Sequence, residues 1–218
     1  FEIGLKSNLL DNNMRLNATY YKYEYTDLQV QLFDAAIIQF STFNAGAVET
    51  EGFEADVLWY TEIPGLTLRG QFAWSDATNT GDFITPGGEN LKGTKRSYSP
   101  EIAGSFGLSY DNSLTSGWRY TFSTDARYSD DYAWGTYIDS PRQDAFWIND
   151  VSLSLYTEDS KHSFNLIGRN LGDEIVIVTG GAIPGRISTQ TGTSALIQDQ
   201  ALTTQQGRTI TLQYKYRM

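Results

Sequence analysis

The sequence has 218 residues, of which 16 are Lys or Arg and 26 are Asp or Glu, so the formal net charge is −10. Such an acidic chain is a poor match for nucleic acid, whose partners carry basic grooves. A hydrophobic content of 40% is too high for a disordered protein. No apolar run reaches the length of about 18 residues that a transmembrane helix needs. That absence does not exclude a transmembrane β-strand, whose lipid-facing residues occupy only every second position.

Chemistry-bearing residues are scarce. The chain has no Cys and one His, His162, which excludes a disulfide framework and leaves little for a histidine metal site or a Ser-His triad. We therefore expect no catalytic residues, no metal and no cofactor. The sequence opens on strand-like residues at Phe1–Gly4 with no initiator Met or signal peptide, so we expect it to be part of a longer protein.

The main signal is an alternation of apolar and polar residues in segments separated by turn-forming residues, which predicts an all-β protein. We predict nine strands and no amphipathic helix. The connection at 35–44, after the second strand, fits either a loop or an extended hairpin. The predicted strands are Phe1–Leu9, Met14–Leu32, a third that ends with Phe53–Trp59, Leu66–Trp74, Ile102–Tyr110, Trp118–Arg127, Trp147–Leu155, Phe164–Gly168 and Ile210–Met218.

The connections between these strands alternate between short and long. Short turns at 10–13, 61–65, 111–117 and 157–161 alternate with long segments at 76–100, 129–144 and 172–206. This layout is typical of an outer-membrane barrel, which has short periplasmic turns and long extracellular loops.

The two faces of the strands differ in a way that favours lipid outside and water inside. One face carries charges that would be costly in a packed core, and the other carries aromatic rings at the strand ends, which suit a membrane interface. A soluble β-protein with an aromatic-rich core is the alternative. The charged face has Glu54, Asp56, Arg119, Asp125, Arg127, Lys215 and Arg217; the ring-bearing face has Trp59, Trp74, Trp118, Trp147, Tyr214 and Tyr216.

The strand count adds a prediction about the position of the chain in a barrel. Bacterial single-chain barrels have an even number of strands, whereas this sequence has nine. If the short turns and the C-terminus are periplasmic, the first strand descends from the cell exterior. We therefore predict the C-terminal part of a larger barrel over residues 1–218.

Several motifs, in order, resemble the TonB-dependent outer-membrane receptor family. Phe1–Ser7 with Leu16–Tyr21 resembles a hairpin from the middle of its barrel. Asn44–Ala47 and Glu51–Asp56 resemble its Asn-Ala-Gly segment and the strand that follows. Leu91–Gly93 with Ser99–Glu101 resembles its loop return, and Gly168–Glu174 resembles the Asn-Leu-x-Asp exit of its penultimate strand.

The resemblance implies a 22-stranded barrel filled by an N-terminal plug, to which this chain contributes about the last nine strands. It implies active uptake of a bulky, scarce nutrient, most often an iron–siderophore complex, with energy from a TonB-type protein acting through a plug that lies outside this sequence. It also implies recognition of the last strand, at Leu212, Tyr214, Tyr216 and Met218, by barrel-assembly machinery. The family usually ends on Phe, and we interpret Met218 as its substitute.

Candidate ligand contacts lie in the predicted extracellular loops. Tyr132, Trp134 and Tyr137 could stack on an aromatic siderophore or a sugar; packing within the loop or at the membrane interface is the alternative role. The long segment 172–206 is predicted to form part of the outer vestibule. His162 has no partner cluster and is not predicted to be catalytic. The acidic pairs Glu49/Glu51 and Glu54/Asp56 are interpreted as a solvated lumen wall.

The sequence therefore predicts a TonB-dependent active transporter of the bacterial outer membrane, surrounded by outer-membrane lipid. A passive porin is one alternative, and it would conduct ions steadily. A soluble carbohydrate-binding β-domain is another, and it would stay in solution without detergent. An enzyme is disfavoured because no set of nucleophile, base and orienting residue is visible.

Overall fold

The computed structural model describes residues 1–34, 39–85, 88–115, 117–135, 141–187 and 198–217. Within these ranges the protein contains fifteen β-strands and no helix, and hence no helix able to cross a membrane. The strands are β1 (Glu2–Leu9), β2 (Met14–Tyr25), β3 (Gln29–Asp34), β4 (Gln39–Asn44), β5 (Val48–Tyr60), β6 (Leu66–Asn79), β7 (Ile102–Ser113), β8 (Trp118–Ser129), β9 (Tyr132–Ala133), β10 (Arg142–Gln143), β11 (Phe146–Thr157), β12 (His162–Arg169), β13 (Ile177–Ile187), β14 (Gln198–Thr204) and β15 (Thr209–Tyr216).

Nine of these strands form one antiparallel sheet in the order β1-β2-β5-β6-β7-β8-β11-β12-β15. Each strand of this sheet pairs with the next one of the nine along the chain, which is the up-and-down topology of a barrel wall. The sheet does not close, because β1 and β15 lie at its two edges. The all-β class and the nine predicted strands are confirmed.

The remaining strands form three separate hairpins, β3–β4, β9–β10 and β13–β14, all at the end of the sheet where the long connections lie. The ambiguous connection after the second strand is thus an extended hairpin over its described residues. The segment 172–206 also contains a hairpin, since β13 and β14 pair from Ile177↔Thr204 onward with two register irregularities.

The prediction of one unbroken strand from Met14 to Leu32 is wrong, because strand geometry stops between β2 and β3. Asp27 has a φ of 55°, in the left-handed region, and so turns the chain out of the sheet. Leu28 then exchanges backbone hydrogen bonds with the 45–46 segment: its N–H donates to Gly46 (3.2 Å) and its carbonyl accepts from Ala45 (2.6 Å). Leu28 packs on a small core formed by Ala45, Phe83 and Leu91.

The register of the sheet places most of the apolar residues of its nine strands on one face. Rows of rings and aliphatic side chains cross several strands without interruption, for example Tyr20–Phe53–Trp74–Ile102 and Phe122–Leu153–Leu166–Leu212. This face is exposed: Phe106 is 53% and Leu212 is 77% accessible. So large an apolar surface is not compatible with a soluble monomer and needs an apolar medium.

The opposite face is polar, and several of its charges are paired. Asp111 accepts hydrogen bonds from Tyr156 (2.5 Å), Thr121 (2.8 Å) and Arg119, and so connects β7, β8 and β11. Because these groups are partly exposed, each pair adds little stability. Their effect is to hold a polar wall that can face water. Further pairs on this face are Arg69–Asp125 (2.5 Å), Arg127–Asp150 (3.0 Å) and Asn17–Asp56 (3.0 Å).

The acidic pair Glu49/Glu51 lies on the apolar side of the sheet, so its interpretation as lumen wall is wrong, whereas Glu54/Asp56 lies on the polar face. Alternation from Phe53 places Glu49 and Glu51 outward, beyond the last aromatic row. Lys22 binds both of these carboxylates, at 2.8 and 3.3 Å. The outward face therefore changes from apolar to charged at Lys22, Glu49 and Glu51. This position marks the limit of the apolar band toward the end of the sheet where the long connections lie.

One close contact explains the Glu-Gly-aromatic motif of β5. The phenol ring of Tyr21 lies across Gly52 on the polar face, and a Cβ at Gly52 would be 2.5 Å from the Tyr21 hydroxyl oxygen and 2.6 Å from the Trp74 carbonyl oxygen. Only glycine leaves room for this ring, which stacks on Tyr23 with a centroid separation of 5.5 Å.

Candidate ligand-binding cleft at the long-loop end

The connection between β6 and β7 is held in place by hydrogen bonds between residues that are distant in sequence. Asn79 is buried, and its backbone carbonyl accepts a hydrogen bond from the Gly93 N–H. Its side-chain amide donates to the Thr94 hydroxyl at 2.9 Å. The Arg96 N–H donates to the Ala77 carbonyl at 2.9 Å. Residues 93–96 therefore run as an extended segment beside the upper part of β6, and their side chains alternate between its two sides.

The two basic residues of this segment have different surroundings. Lys95 lies on the outward side, where its ammonium contacts the carboxylates of Asp76 (2.8 Å) and Glu101 (2.7 Å). Arg96 lies on the opposite side, with Asn79 and Thr94. Among the described residues, its guanidinium has one hydrogen bond, to the Asn79 side-chain oxygen at 3.4 Å. Burial lowers the pKa of Arg96 from its ordinary value, but a guanidinium remains charged in a protein.

A cleft of about 370 Å³ separates this segment from the β9–β10 hairpin. Arg96 lies on one wall, and Asp130 and Asp131 lie on the other. Arg142 pairs with Asp131 through a hydrogen bond of 2.8 Å from Nε. Asp130 accepts the backbone N–H of Asp131 at 3.0 Å but has no basic partner among the described residues. The cleft is therefore polar and has a positive side and a negative side.

The three loop aromatic residues that were predicted as ligand contacts differ in where they lie. Tyr132 lines the cleft, where its hydroxyl donates to the Ile177 carbonyl (3.2 Å) and burial raises its pKa. Trp134 is only 5% exposed and lies against Gly180 of β13, which favours the packing role for this residue. Tyr137 lies outside the described residues. Direct ligand contact by these residues stays a prediction.

Asn170 organises the base of the segment between β12 and β15, a role that the sequence motif did not reveal. It is buried and has a φ of 47°. Its side chain donates to the Glu174 carbonyl (2.8 Å) and accepts from the Glu174 N–H (2.9 Å), while its own N–H donates to Asp150 (2.8 Å). Asp173 then accepts the Arg208 N–H at 2.8 Å, which closes the base of the long segment.

The Asn170→Ala substitution is expected to loosen this base by about 1–3 kcal/mol, because it leaves the partly buried Glu174 backbone N–H and carbonyl without these partners. Hydrogen exchange should become faster in residues 172–187 and 198–208 while the sheet stays protected. Asn165→Ala on the same strand is the control, since no side-chain hydrogen bond of Asn165 is found in the described part of the chain. Equal exchange in the two variants would contradict this role for Asn170.

His162 belongs to an aromatic cluster on the outward face of the last strands. Its Nδ1 lies 2.9 Å from the Tyr214 hydroxyl, and its ring lies 5.1 Å from that of Tyr216. Phe164 completes the cluster, 4.9 Å from Tyr214. Met218 lies outside the described residues. No group of three or more His, Asp or Glu residues arranged to hold a metal occurs among the residues that the structure describes.

Arg96 was also missed as a site residue. The available signal was the Lys95-Arg96 pair inside a long loop of an acidic chain, but the sequence does not reveal which basic residue is paired with a carboxylate. The structure brings Arg96 and Tyr132 to one cleft and leaves Trp134 beneath a hairpin.

An antiparallel sheet with one exposed apolar face, one polar face, short turns at one end and long hairpins at the other is the wall of a transmembrane β-barrel. Comparison with known proteins identifies the family of this barrel. The family profile described as TonB dependent receptor-like, beta-barrel matches residues 1–171. The chain belongs to the TonB-dependent receptor family, as the sequence motifs indicated.

Solved structures share this fold at low sequence identity. The siderophore receptor PiuA from Acinetobacter baumannii superposes with a TM-score of 0.69 at 19% identity, over 97% of this chain and 27% of the receptor. The ferric yersiniabactin uptake receptor FyuA from Yersinia pestis gives 0.73 at 15% identity, over 98% and 28%. The ferric-catecholate import receptor Fiu from E. coli K12 gives 0.64 at 21% identity, over 98% and 26%.

The chain thus spans about a quarter of the length of the solved receptors that it matches. A comparison with curated proteins gives no match.

Proposed function

We propose that this chain is the C-terminal portion, residues 1–218, of the barrel of an outer-membrane receptor that imports iron–siderophore complexes. The observation that carries the proposal is the match to the TonB-dependent receptor family over residues 1–171. Iron complexes are supported by the names of the solved relatives, a siderophore receptor, a ferric yersiniabactin receptor and a ferric-catecholate receptor.

The described geometry is consistent with transport and offers no chemistry for turnover. The paired charges of the polar face suit a wetted lumen or the polar surface of a plug, and the apolar face suits lipid. Energy would come from a TonB-type protein acting on a plug domain, and no covalent step is involved. The ligand would bind at the long-loop end, where the cleft beside Arg96 and Tyr132 opens.

The outward side chains of β15 would serve a second partner, the barrel-assembly machinery. Leu212, Tyr214 and Tyr216 alternate on the exposed face of this edge strand. Such a strand offers both an unpaired backbone edge and a row of apolar side chains for recognition. Met218 would extend the same row.

Uptake of radioactive iron tests the proposed function. Cells that depend on this receptor, grown under iron limitation, should accumulate iron from a siderophore complex only while the energy-coupling protein is present. Uptake that persists without it, together with a steady ion conductance in planar bilayers, would support the passive porin and overturn the proposal. A receptor that stays in solution without detergent would support the soluble carbohydrate-binding alternative.

The Tyr132→Ala substitution is expected to weaken ligand binding by about tenfold, since one buried aromatic contact contributes on the order of 1 kcal/mol beyond its area. Tyr132→Phe keeps the ring and removes only the hydroxyl bond to Ile177, so its affinity should stay close to that of the parent. Titration of the purified receptor with its ferric siderophore measures both. Unchanged affinity in Tyr132→Ala would remove this ring from the binding site.

A further inference from the structure

Arg96 differs from the other basic residues of the long-loop end whose side chains are described. Lys92 contacts Asp82 (3.1 Å), Lys95 contacts Asp76 and Glu101, and Arg142 contacts Asp131. Arg96 is half-buried and has no carboxylate partner among the described residues. A neutral oxygen at 3.4 Å is its one polar side-chain contact there.

An unpaired and partly buried cation is costly, because the desolvation of the charge is not repaid by a counter-charge. The cost is not relieved by loss of the proton, since a guanidinium stays protonated. The backbone of Arg96 is also held in place, through the Ala77 carbonyl and the neighbouring contact between Asn79 and Thr94. Such a fixed cation on the wall of an open cleft is available to an incoming anion.

We propose that Arg96 is the anion-recognising residue of this cleft, and that the receptor prefers ferric complexes whose exposed oxygens are anionic, such as catecholates or carboxylates. The inference rests on the proposed function and names the substrate class of that site. A planar guanidinium donates two parallel hydrogen bonds to adjacent oxygen atoms, as catecholate and carboxylate groups present them.

Two of the three carboxylates that line the cleft are paired with cations, and the third, Asp130, lies on the wall opposite Arg96. Glu101 is occupied by Lys95 and Asp131 by Arg142. Asp130 accepts from the Asp131 N–H and, at 3.4 Å, from the Tyr128 hydroxyl. Of the cations that line the cleft, only Arg96 is left without a carboxylate in the described part of the chain, so an anionic ligand group would bind on its side.

The test uses the complete receptor that contains this chain and two ferric complexes of different charge, an anionic tris-catecholate and a neutral tris-hydroxamate. Binding is measured by fluorescence titration for the parent, Arg96→Gln, Arg96→Lys and Lys92→Gln. Lys92→Gln is the matched control, since it removes one loop cation that does not line the cleft. Heat-modifiable gel mobility verifies that each variant forms a folded barrel.

The parent should bind the anionic complex more tightly than the neutral one. Arg96→Gln should weaken binding of the anionic complex by about 10- to 100-fold, as expected for a lost charge-assisted hydrogen bond, and leave binding of the neutral complex unchanged. Arg96→Lys should retain part of the preference, and Lys92→Gln all of it.

Four results would overturn the inference. If Arg96→Gln keeps the preference, or Lys92→Gln loses it equally, Arg96 is not the anion-recognising residue, while iron uptake as the function still stands. A parent that prefers the neutral complex excludes the anionic substrate class. A parent that binds neither complex overturns this inference, whereas the proposed function is decided by the iron-uptake measurement.

Discussion

The Phe106→Arg substitution is expected to destabilise the folded barrel in a bilayer by about 2–4 kcal/mol, the cost of a cation at mid-membrane depth on the lipid face. Phe106 lies in the middle of β7 on the apolar face and is 53% exposed. Its neighbours in the sheet are Gly70 and Ala126, neither of which offers a counter-charge. Urea titration of the receptor in lipid vesicles, followed by tryptophan fluorescence, measures the change.

Two control variants separate the contributions to that loss. Phe106→Ala removes the ring without adding charge and should cost less. Ser105→Arg adds the same charge one residue away, on the polar face, where water and the nearby Gln71 side chain can accommodate it. If Ser105→Arg is as damaging as Phe106→Arg, the assignment of the two faces is wrong.

The Gly65→Ala substitution is expected to cost about 1–3 kcal/mol more than Gly117→Ala, because overpacking adds to a backbone penalty that the two share. Both glycines have left-handed φ values, 81° and 74°. A Cβ at Gly65 would be 1.8 Å from the Asp111 carbonyl oxygen, whereas a Cβ at Gly117 has no heavy atom within 4 Å. Urea titration of each variant gives the difference.

The reason for this sensitivity is a contact between neighbouring hairpins. The turn at Gly65 joins β5 to β6, and its carbonyl accepts the N–H of Asp111 at 2.9 Å. Any movement of Asp111 also disturbs its side-chain bonds to Tyr156, Thr121 and Arg119. Equal destabilisation in Gly65→Ala and Gly117→Ala would indicate that the turn relaxes freely and that this contact contributes nothing.

The sheet could be predicted from the sequence because its cause is local. Alternation at Phe53–Trp59 or at Ile210–Tyr216 specifies both a strand and its two faces without knowledge of the neighbouring strands. Pairing between successive strands then follows from the short turns. This is why the nine strands and the polar face from Glu54 to Lys215 agree with the structure.

Features that depend on distant contacts could not be predicted in this way. The break at Asp27 is stabilised by packing of Leu28 on Ala45, Phe83 and Leu91, which are distant in sequence. Alternation from Phe53 already assigns Glu49 and Glu51 to the outward face. It does not show where along that face the apolar band ends and charged residues begin.

The candidate site was the least predictable part. Loop residues lack a repeating pattern, so two features emerge only from tertiary structure: the burial of Trp134 beneath β13 and the lack of a carboxylate partner for Arg96 among the described residues. Aromatic residues in a loop can be proposed as ligand contacts from their chemistry alone. Arg96, in contrast, is one of 16 basic residues, and the sequence does not distinguish it from the others.

Lipid exposure along β7 tests most directly that this chain is a barrel wall with lipid on one face and water on the other. Single cysteines at Ser105, Phe106, Leu108 and Ser109 can carry a fluorophore in the membrane-embedded receptor, and these 218 residues contribute no Cys that would compete for the label. Spin-labelled lipid should quench the labels at 106 and 108, and an aqueous quencher those at 105 and 109. Quenching without this two-residue period, or with the faces reversed, would contradict the account.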